Sequence, residues 1–184
     1  MIKFKEVSKS FGEKTVLHCL DLEIKKGERV CLRGESGAGK TTVLRLICGF
    51  EKADSGSVEV TGKISAVFQE NRLFKGFSAF ENVNLVCDDK KKTQELLLCV
   101  GLWEDRDKLI TELSGGMARR VAIARALAYP RDILILDEPF TGIDESRKHK
   151  IMDHILEKTA GNTLILVSHD EAECEYMCER AVNI

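Results

Sequence analysis

Hydrophobic and polar residues alternate along the first part of the chain, from Ile2 to Ile24, and Gly12 interrupts the alternation. A period of two predicts strands, and a glycine between two such runs predicts the turn that joins them. We therefore expect an antiparallel β layer at the start of the chain.

Four later stretches are short and mostly apolar, and a continuously apolar run like that of residues 133–136 or 164–167 is the pattern of a strand covered on both faces. The four stretches comprise residues 30–32, 64–68, 133–136 and 164–167. Segments with helical features separate them: residues 41–48, residues 78–110, a helix that Ser114 caps and that stops before Pro130, and a helix that Asp144 caps and Gly161 ends. Strands that alternate with helices predict an α/β fold with a parallel core sheet and a helical insertion near residues 70–113.

The composition fits one globular domain that spans residues 1–184, with 43% hydrophobic and 32% charged residues. The formal net charge of −2 gives no strong positive field, so we expect no nucleic-acid partner. No apolar leader follows Met1, and no apolar run approaches the length of a membrane span. We expect a cytoplasmic protein that reaches a membrane only through a partner.

The seven cysteines form no C-x-x-C pair and no zinc-binding spacing. Cys174 and Cys178 lie four residues apart on a predicted helix, so they could share a ligand or pack as small apolar side chains. Packing is the favoured interpretation. An odd number of cysteines without a disulfide framework indicates a reducing, cytosolic compartment.

The segment GESGAGKT at residues 34–41 fits the pattern G-x-x-x-x-G-K-[ST] and lies between a predicted strand and a predicted helix. Glycines let consecutive backbone N–H groups surround a phosphate, and the helix directs its positive end toward it. Lys40 would neutralise the β- and γ-phosphates, and the hydroxyl of Thr41 would bind magnesium. We call residues 34–41 the phosphate loop.

The strand at residues 133–136 ends in two carboxylates, Asp137 and Glu138. Parallel sheets bind ligands at the carboxyl ends of their strands, so these acids are expected beside the phosphate loop. Asp137 would hold magnesium, and Glu138 would orient or deprotonate the attacking water. Two solvated acids after a strand are the alternative, which the phosphate loop disfavours.

The segment LSGGM at residues 113–117, followed by ARRVAIARAL, resembles the signature of ABC transporter nucleotide-binding domains. With Gln69, His169 and the two motifs above in order, the likeness covers essentially the whole chain. It implies a phosphate-loop ATPase fold, ATP and Mg²⁺ as ligands, and a head-to-tail dimer. We call residues 113–117 the signature segment.

The resemblance also implies roles for individual residues. Phe11 matches the aromatic residue that stacks on adenine, Gln69 matches the glutamine that contacts magnesium and water, and His169 matches the histidine that contacts the γ-phosphate. Asp144 matches the aspartate of the loop between the two sites. The predicted catalytic residues are Lys40, Gln69, Glu138 and His169, and the predicted metal ligands are Thr41, Gln69 and Asp137. The predicted nucleotide-binding residues are Phe11, Gly34, Glu35, Ser36, Gly37, Ala38, Gly39, Lys40, Thr41, Thr42 and, toward the opposite subunit, Ser114, Gly115 and Gly116.

The chain departs from the family pattern in three respects. Met117 replaces the usual glutamine, as in importer ATPases of the nitrate, sulfonate and taurine type. Residues 40–69 form a shorter stretch than usual, which predicts the loss of a strand or hairpin from the antiparallel layer. Only 15 residues follow His169, so we expect the terminal helices that many relatives carry, and any regulatory domain, to be missing.

The predicted function is an ATPase subunit that energises transport through a separate membrane permease, with import favoured over export. A substrate-binding protein outside the cytoplasm is expected in such a system, and the partner subunit is a second copy or a related ATPase. Leu73 and Phe74 are interpreted as a docking site for the permease, whereas Phe77 and Phe80 fit either docking or the core of the helical insertion. A non-hydrolysing ATP switch and a soluble ABC protein of translation or DNA repair are the alternatives. The presence of Glu138 and His169 disfavours the first, and the single short cassette disfavours the second.

Overall fold

The computed structural model describes residues 1–184 and contains eight strands and six α-helices. The strands are β1 (Ile2–Phe11), β2 (Lys14–Ile24), β3 (Arg29–Arg33), β4 (Ser55–Val60), β5 (Ile64–Val67), β6 (Ile133–Asp137), β7 (Thr163–Val167) and β8 (Arg180–Asn183). The helices are α1 (Lys40–Ile47), α2 (Ala79–Cys87), α3 (Lys90–Cys99), α4 (Gly115–Ala128), α5 (Glu145–Lys158) and α6 (Glu171–Met177), with a 3-10 turn at Ile110–Glu112.

Two sheets organise the chain. A three-stranded antiparallel sheet has the order β2-β1-β4, and a five-stranded parallel sheet has the order β5-β6-β7-β3-β8. This arrangement confirms the predicted α/β fold with its antiparallel layer. The order also makes β3, β6 and β7 central, so the segments that follow them meet at one edge of the parallel sheet.

The central strands are buried on both faces, as their continuous apolar sequences predict. Along β6, Ile133 and Ile135 pack with the antiparallel sheet and α1, whereas Leu134 and Leu136 pack with the helices on the opposite face. Successive side chains of a strand point to opposite faces, so one apolar run supplies both cores.

The helices α2, α3 and α4 pack against one another, and we call them, with the 3-10 turn, the helical lobe. Helix α4 also contacts β5, so it joins the lobe to the parallel sheet. The helical layer therefore continues beyond residue 113 through α4. None of the helices is both long enough and apolar enough to cross a bilayer.

Helix boundaries follow from local capping chemistry. Ser114 accepts a hydrogen bond from the amide of Met117 at the start of α4, and Asp144 accepts one from the amide of Arg147 at the start of α5. Side-chain oxygens at these positions satisfy amides that have no partner within the helix. Both predicted caps are present. Helix α5 ends at Lys158, and Gly161 adopts a φ of 79° in the turn that follows.

The expectation that the cysteines form no disulfide is wrong for one pair. The sulfur atoms of Cys31 on β3 and Cys174 on α6 are bonded, with a Cα–Cα distance of 5.7 Å. The other five cysteines are free, including Cys178, so Cys174 and Cys178 do not act as a pair. Cys31 and Cys174 are 143 residues apart in the sequence, and only the fold brings β3 and α6 together.

Candidate functional site

The phosphate loop connects β3 to α1 and is shaped by glycines. Gly37 and Gly39 have φ angles of 84° and 107°, which side chains with a Cβ rarely adopt. At Gly39 a Cβ would also lie 2.8 Å from the side chain of Leu17. The glycine pattern is therefore required by both conformation and space.

Lys40 begins α1 but directs its side chain back over the loop. Its Nζ donates to the carbonyl oxygens of Gly34 and Glu35, at 2.7 and 2.9 Å. Gly39 at the N-cap supplies no side-chain hydrogen bond, so the first amides of α1 have no side-chain partner. A cation and free helix amides together form a site for an anion such as a phosphate group.

The carboxylates after β6 lie in the same cleft. Asp137 is 1% exposed, and its Oδ1 has no hydrogen-bond partner. Burial raises the pKa of Asp137, although electrostatic interactions with Arg119, Lys40 and His169 act in the opposite direction. A buried oxygen that lacks a donor fits a cation, and carboxylates are preferred ligands of Mg²⁺.

Glu138 has a left-handed backbone with a φ of 50°, which is uncommon for a residue with a side chain. Its amide donates to the carbonyl of Val167 at 2.9 Å, so β7 holds this conformation in place. Such backbone strain is typical of functional sites. Burial raises the pKa of Glu138, as do the charges of Asp137 and Glu173, whereas His169 and Lys40 lower it.

His169 follows β7, the strand next to β6, and its side chain is 65% exposed. Its Nε2 lies 3.5 Å from Oε1 of Glu138, an oxygen without a hydrogen-bond partner. The separation exceeds that of a normal charge-assisted hydrogen bond, so the two side chains face the same space without being joined.

Most of the predicted residues line one cleft. The lining residues are Phe11, Lys14, Val16, Ser36, Gly37, Gly39, Lys40, Thr41, Thr42, Gln69, Asp137, Glu138, Val167 and His169. Phe11 is 47% exposed at the mouth of the cleft. Among the lining residues, sequence reasoning missed Lys14, Val16 and Val167. The pairing of Phe11 with Lys14 across the β1–β2 turn could have indicated the first of these.

The signature segment lies outside this cleft. Ser114 and Gly115 are exposed at the start of α4, and no residue of the segment lines the cleft. Gly116 packs against the carbonyl oxygen of Gly142, in the loop that precedes Asp144. The structure therefore places most of the predicted nucleotide-binding residues in the cleft and Ser114, Gly115 and Gly116 at the start of α4, whereas Gly34, Glu35 and Ala38 of the phosphate loop are not among the cleft-lining residues.

Gln69 is exposed at the cleft, but its backbone is held from the helical lobe. Arg119 on α4 is 6% exposed and donates to the carbonyl oxygens of Phe68 and Gln69. Arg125 on the same helix donates to the carbonyls of Asn71 and Arg72. The helix that begins at the signature segment therefore positions the chain around Gln69. Neither arginine is among the site residues predicted from the sequence.

The apolar residues after Gln69 divide into two groups. Leu73 and Phe80 pack against the core of the helical lobe, whereas Phe74 and Phe77 are 52% and 40% exposed. The exposed rings lie 5.5 Å apart. Of the proposed docking pair, only Phe74 is well exposed, because the side chain of Leu73 turns toward the lobe.

A buried amide fixes this exposed pair. Asn82 on α2 is fully buried; its side chain accepts from the amide of Phe74 and donates to the carbonyl oxygens of Phe74, Phe77 and Ser78. A side chain that satisfies several backbone groups holds the loop in one conformation. We call Phe74 and Phe77 the aromatic patch.

Comparison with known proteins gives a consistent family assignment. Residues 17–141 match the family described as ABC transporter. The chain is 41% identical over 180 residues to the aliphatic sulfonates import ATP-binding protein SsuB 1 of Pseudomonas syringae pv. syringae, covering 95% of this chain and 76% of that protein. It is 37% identical over 191 residues to the bicarbonate transport ATP-binding protein CmpD of Synechococcus elongatus, covering 93% and 69%.

Among solved structures, the chain is similar to the dimeric ATP-binding cassette MJ0796 in a post-hydrolysis state bound to ADP and Pi. The TM-score is 0.90 at 32% sequence identity, and the alignment covers 100% of this chain and 94% of that one. The likeness therefore extends from the motifs to the complete fold.

Proposed function

The chain belongs to the ABC transporter family, and on this premise we propose that it is the ATP-binding and ATP-hydrolysing subunit of an ABC importer. The observation that carries the proposal is the assembly of a phosphate loop, two acids, a glutamine and a histidine in one cleft. The relatives named above are ATP-binding proteins of import or transport systems for sulfonates and bicarbonate, which favours import over export. Hydrolysis would drive a separate membrane permease.

ATP would bind with its phosphates in the phosphate loop. Lys40 now donates only to neutral carbonyls, and phosphate oxygens would form stronger, charge-assisted bonds with its ammonium group. The backbone amides of residues 36–41 and the N-terminus of α1 add positive potential. Phe11 at the mouth offers a ring face for adenine.

A magnesium ion fits the donor set of the cleft. The hydroxyl of Thr41, the amide oxygen of Gln69 and the partnerless Oδ1 of Asp137 are the oxygen ligands that this ion prefers. When bound, Mg²⁺ would neutralise negative charge on the phosphates. Of the two acids, Asp137 is the more deeply buried, which suits it to a charge-neutralising role.

Glu138 is proposed as the base for the attacking water. Its raised pKa, caused first by burial, makes its carboxylate a better proton acceptor than a solvated one. Water attacks the γ-phosphorus, the bond to the bridging oxygen breaks, and Glu138 takes the proton as ADP and phosphate form. His169, facing the same space, stabilises charge on the γ-phosphate.

A second subunit would complete each site. Apart from the amide of Met117, which the Ser114 side chain caps, the first amides of α4 offer a site for an anion at an exposed helix start. We infer that Ser114, Gly115 and Gly116 contact the γ-phosphate held by the opposite subunit. The dimeric state of the solved cassette supports this arrangement. The partner is a second copy or a related ATPase subunit.

The membrane partner would dock at the aromatic patch. Two exposed phenylalanine rings beside Gln69 suit the apolar face of a short helix from a permease loop. Docking would place the ATPase on the inner face of the membrane through the permease. An extracytoplasmic substrate-binding protein would complete an import system.

The proposal is tested by ATP hydrolysis in the purified chain with Mg²⁺. Lys40→Ala is expected to abolish ATP binding, and Glu138→Gln is expected to retain binding but lose hydrolysis by about 100-fold or more, since it removes the base. Glu104→Gln, at an exposed carboxylate of the helical lobe, is the matched control and should hydrolyse ATP at the parent rate. Parent-level turnover by Glu138→Gln would disprove the proposed mechanism.

Docking is tested by crosslinking. A cysteine at Phe74, in a background that carries Cys19→Ser because Cys19 is exposed, is paired with cysteines along the cytoplasmic loops of the membrane protein encoded beside it. Crosslinks confined to one loop and altered by ATP are expected. If Phe74→Glu leaves complex assembly unchanged, the permease docks elsewhere.

A further inference from the structure

A buried lysine lies outside the nucleotide cleft and has no part in the mechanism above. Lys148 on α5 has a side chain that is only 10% exposed, and its Nζ contacts three carboxylates. The distances are 3.0 Å to Glu145, 3.1 Å to Asp170 and 3.1 Å to Glu173. Lysine is seldom buried, because removal of its charge from water is costly unless the charge is paired.

Two of the three carboxylates that hold Lys148, those of Asp170 and Glu173, follow His169 closely in the chain. Glu173, whose side chain is 9% exposed, accepts a hydrogen bond of 2.5 Å from the hydroxyl of Ser168. That hydroxyl in turn accepts one of 3.0 Å from the amide of Asp170. Both chain neighbours of His169 are therefore linked to the ammonium group of Lys148, Asp170 by direct contact and Ser168 through Glu173.

The side chain of His169 itself has little that would hold it. It is 65% exposed, and its polar contact is between its Nε2 and Oε1 of Glu138, which lie 3.5 Å apart. Its location must therefore come from the backbone of residues 168–170. That backbone is tied to α5 by the cluster of Lys148, Asp170 and Glu173, which we call the lysine cluster.

The lysine cluster is held by strong interactions. Burial alone would lower the pKa of Lys148, but hydrogen bonds to Glu145, Asp170 and Glu173 outweigh it and hold the pKa above its ordinary value. The ammonium group therefore stays charged across the physiological range. Removal of Lys148 would leave Glu173 buried without a counter-charge, which is a costly state.

We propose that Lys148 is a positioning residue that fixes the backbone of His169 relative to α5. The same helix is capped by Asp144, so the lysine cluster also joins His169 to the loop that contacts Gly116. A displacement of that loop when a second subunit binds would reach His169 through one rigid helix. The inference rests on the proposed function, because it assigns His169 to hydrolysis.

The test compares hydrolysis and binding in the full chain with ATP and Mg²⁺. Lys148→Met is expected to lower kcat by about 10- to 100-fold, since small misplacement of a catalytic group has effects of this size. The Kd for ATP should stay within about twofold of the parent, because the phosphate loop is untouched. Lys148→Arg, which keeps the cation, should recover most of the rate.

Two controls separate positioning from a general loss of stability. Ile155→Val removes a buried methylene from the same helix without touching a charge, and Lys150→Met removes an exposed lysine from it. Both are expected to hydrolyse ATP at the parent rate at temperatures where circular dichroism shows every variant folded. If Lys148→Met does not fold, Lys148→Met with Glu173→Gln removes the unpaired acid and carries the same expected loss.

A spectroscopic readout addresses His169 directly. In protein labelled at its four histidines, the imidazole resonance that disappears in His169→Ala is expected to shift or broaden in Lys148→Met. The resonance of His18, in the antiparallel sheet, should not change. Neither Ile155→Val nor Lys150→Met should move the His169 resonance.

The inference is overturned if folded Lys148→Met, or the double variant in its place, has the parent kcat or an unchanged His169 resonance. Failure of the proposed function is distinguished by two reference proteins. If the parent does not hydrolyse ATP, the proposed function is wrong. Suppose instead that the parent hydrolyses ATP, that Glu138→Gln does not, and that Lys148→Met hydrolyses ATP with the parent kcat. In that case the proposed function holds, and only the role assigned to Lys148 is wrong.

Discussion

The cleft at the sheet edge and the signature segment differ in how completely each is formed within one chain. In the cleft, Asp137 is buried with an oxygen that has no partner, and Glu138 is held in a left-handed conformation by β7. In the signature segment, Ser114 and Gly115 are exposed and contribute nothing to the cleft of their own chain. Under the proposed function, this difference means that a single chain supplies a catalytic half and that a second subunit supplies its complement.

The largest effect is expected when two inactive variants are mixed, and this experiment tests whether the cleft and the signature segment act across two subunits. Lys40→Ala disables the cleft, and Ser114→Arg obstructs the signature segment, so neither variant alone should hydrolyse ATP. In a mixed dimer one site combines an intact cleft with an intact signature segment. Random mixing should therefore restore about one quarter of parent activity, because half of the dimers are mixed and each has one intact site.

The control for this experiment is a mixture of Lys40→Ala with Glu138→Gln. Both substitutions damage the cleft, so no mixed dimer contains an intact site and no activity should return. If the first mixture stays as inactive as this control while both proteins bind each other, the two halves do not complement across subunits.

A smaller effect is expected where the signature segment contacts the loop that precedes Asp144 within one chain. A Cβ at Gly116 would meet the carbonyl oxygen of Gly142 well inside contact distance, so Gly116→Ala must displace α4 or the loop before Asp144. We expect hydrolysis to fall by about 10- to 100-fold, the size of effect that small misplacements produce. ATP binding to the isolated subunit should change little.

Gly76→Ala is the matched control, because a Cβ at Gly76 meets nothing within 4 Å. Hydrolysis by this variant in the isolated chain should equal that of the parent. Parent-level hydrolysis by Gly116→Ala would mean that the contact between Gly116 and Gly142 has no role in aligning the signature segment.

The sequence predicts the cleft well because its chemistry is local. The phosphate loop, the acids after β6 and the histidine after β7 each follow a buried strand, and parallel strands bring their ends together. The helix caps Ser114 and Asp144 are local signals of the same kind. These features need no knowledge of distant contacts.

The contacts that support the site are not local and were missed for that reason. Arg119 reaches carbonyls 50 and 51 residues away, and Lys148 reaches Asp170 22 residues away. In the sequence both resemble ordinary charged residues on helix surfaces, and only the packing reveals their burial. The same limit applies to Cys31 and Cys174, and to the different exposure of Leu73 and Phe74.

The smallest expected effect concerns the thermal stability of the chain, to which the two carboxyl groups of the cleft contribute. Burial raises the pKa of both Asp137 and Glu138 in the folded chain. A carboxyl whose folded pKa is raised contributes stability below its unfolded pKa and loses it as the pH rises through the folded pKa. At pH 7.5, without nucleotide or Mg²⁺, the cost of ionising these buried carboxyls therefore lowers the stability of the fold, and Asp137→Asn and Glu138→Gln should melt above the parent.

We expect an increase in Tm of a few degrees, since a chain of this size gains about 2–4 °C for each kcal/mol. The gap should narrow as the pH falls toward about 4, where carboxyl groups become protonated in the parent. Asp54→Asn is the control of opposite sign, because a hydrogen bond from Lys9 and another from the amide of Ser10 lower the pKa of that exposed carboxyl. Removal of the Asp54 charge should lower the Tm at pH 7.5, and this loss should shrink as the pH falls. If both amide variants of the cleft melt below the parent at pH 7.5, the carboxyl groups of Asp137 and Glu138 stabilise the ligand-free chain. Their burial in the cleft would then carry no cost in folding stability.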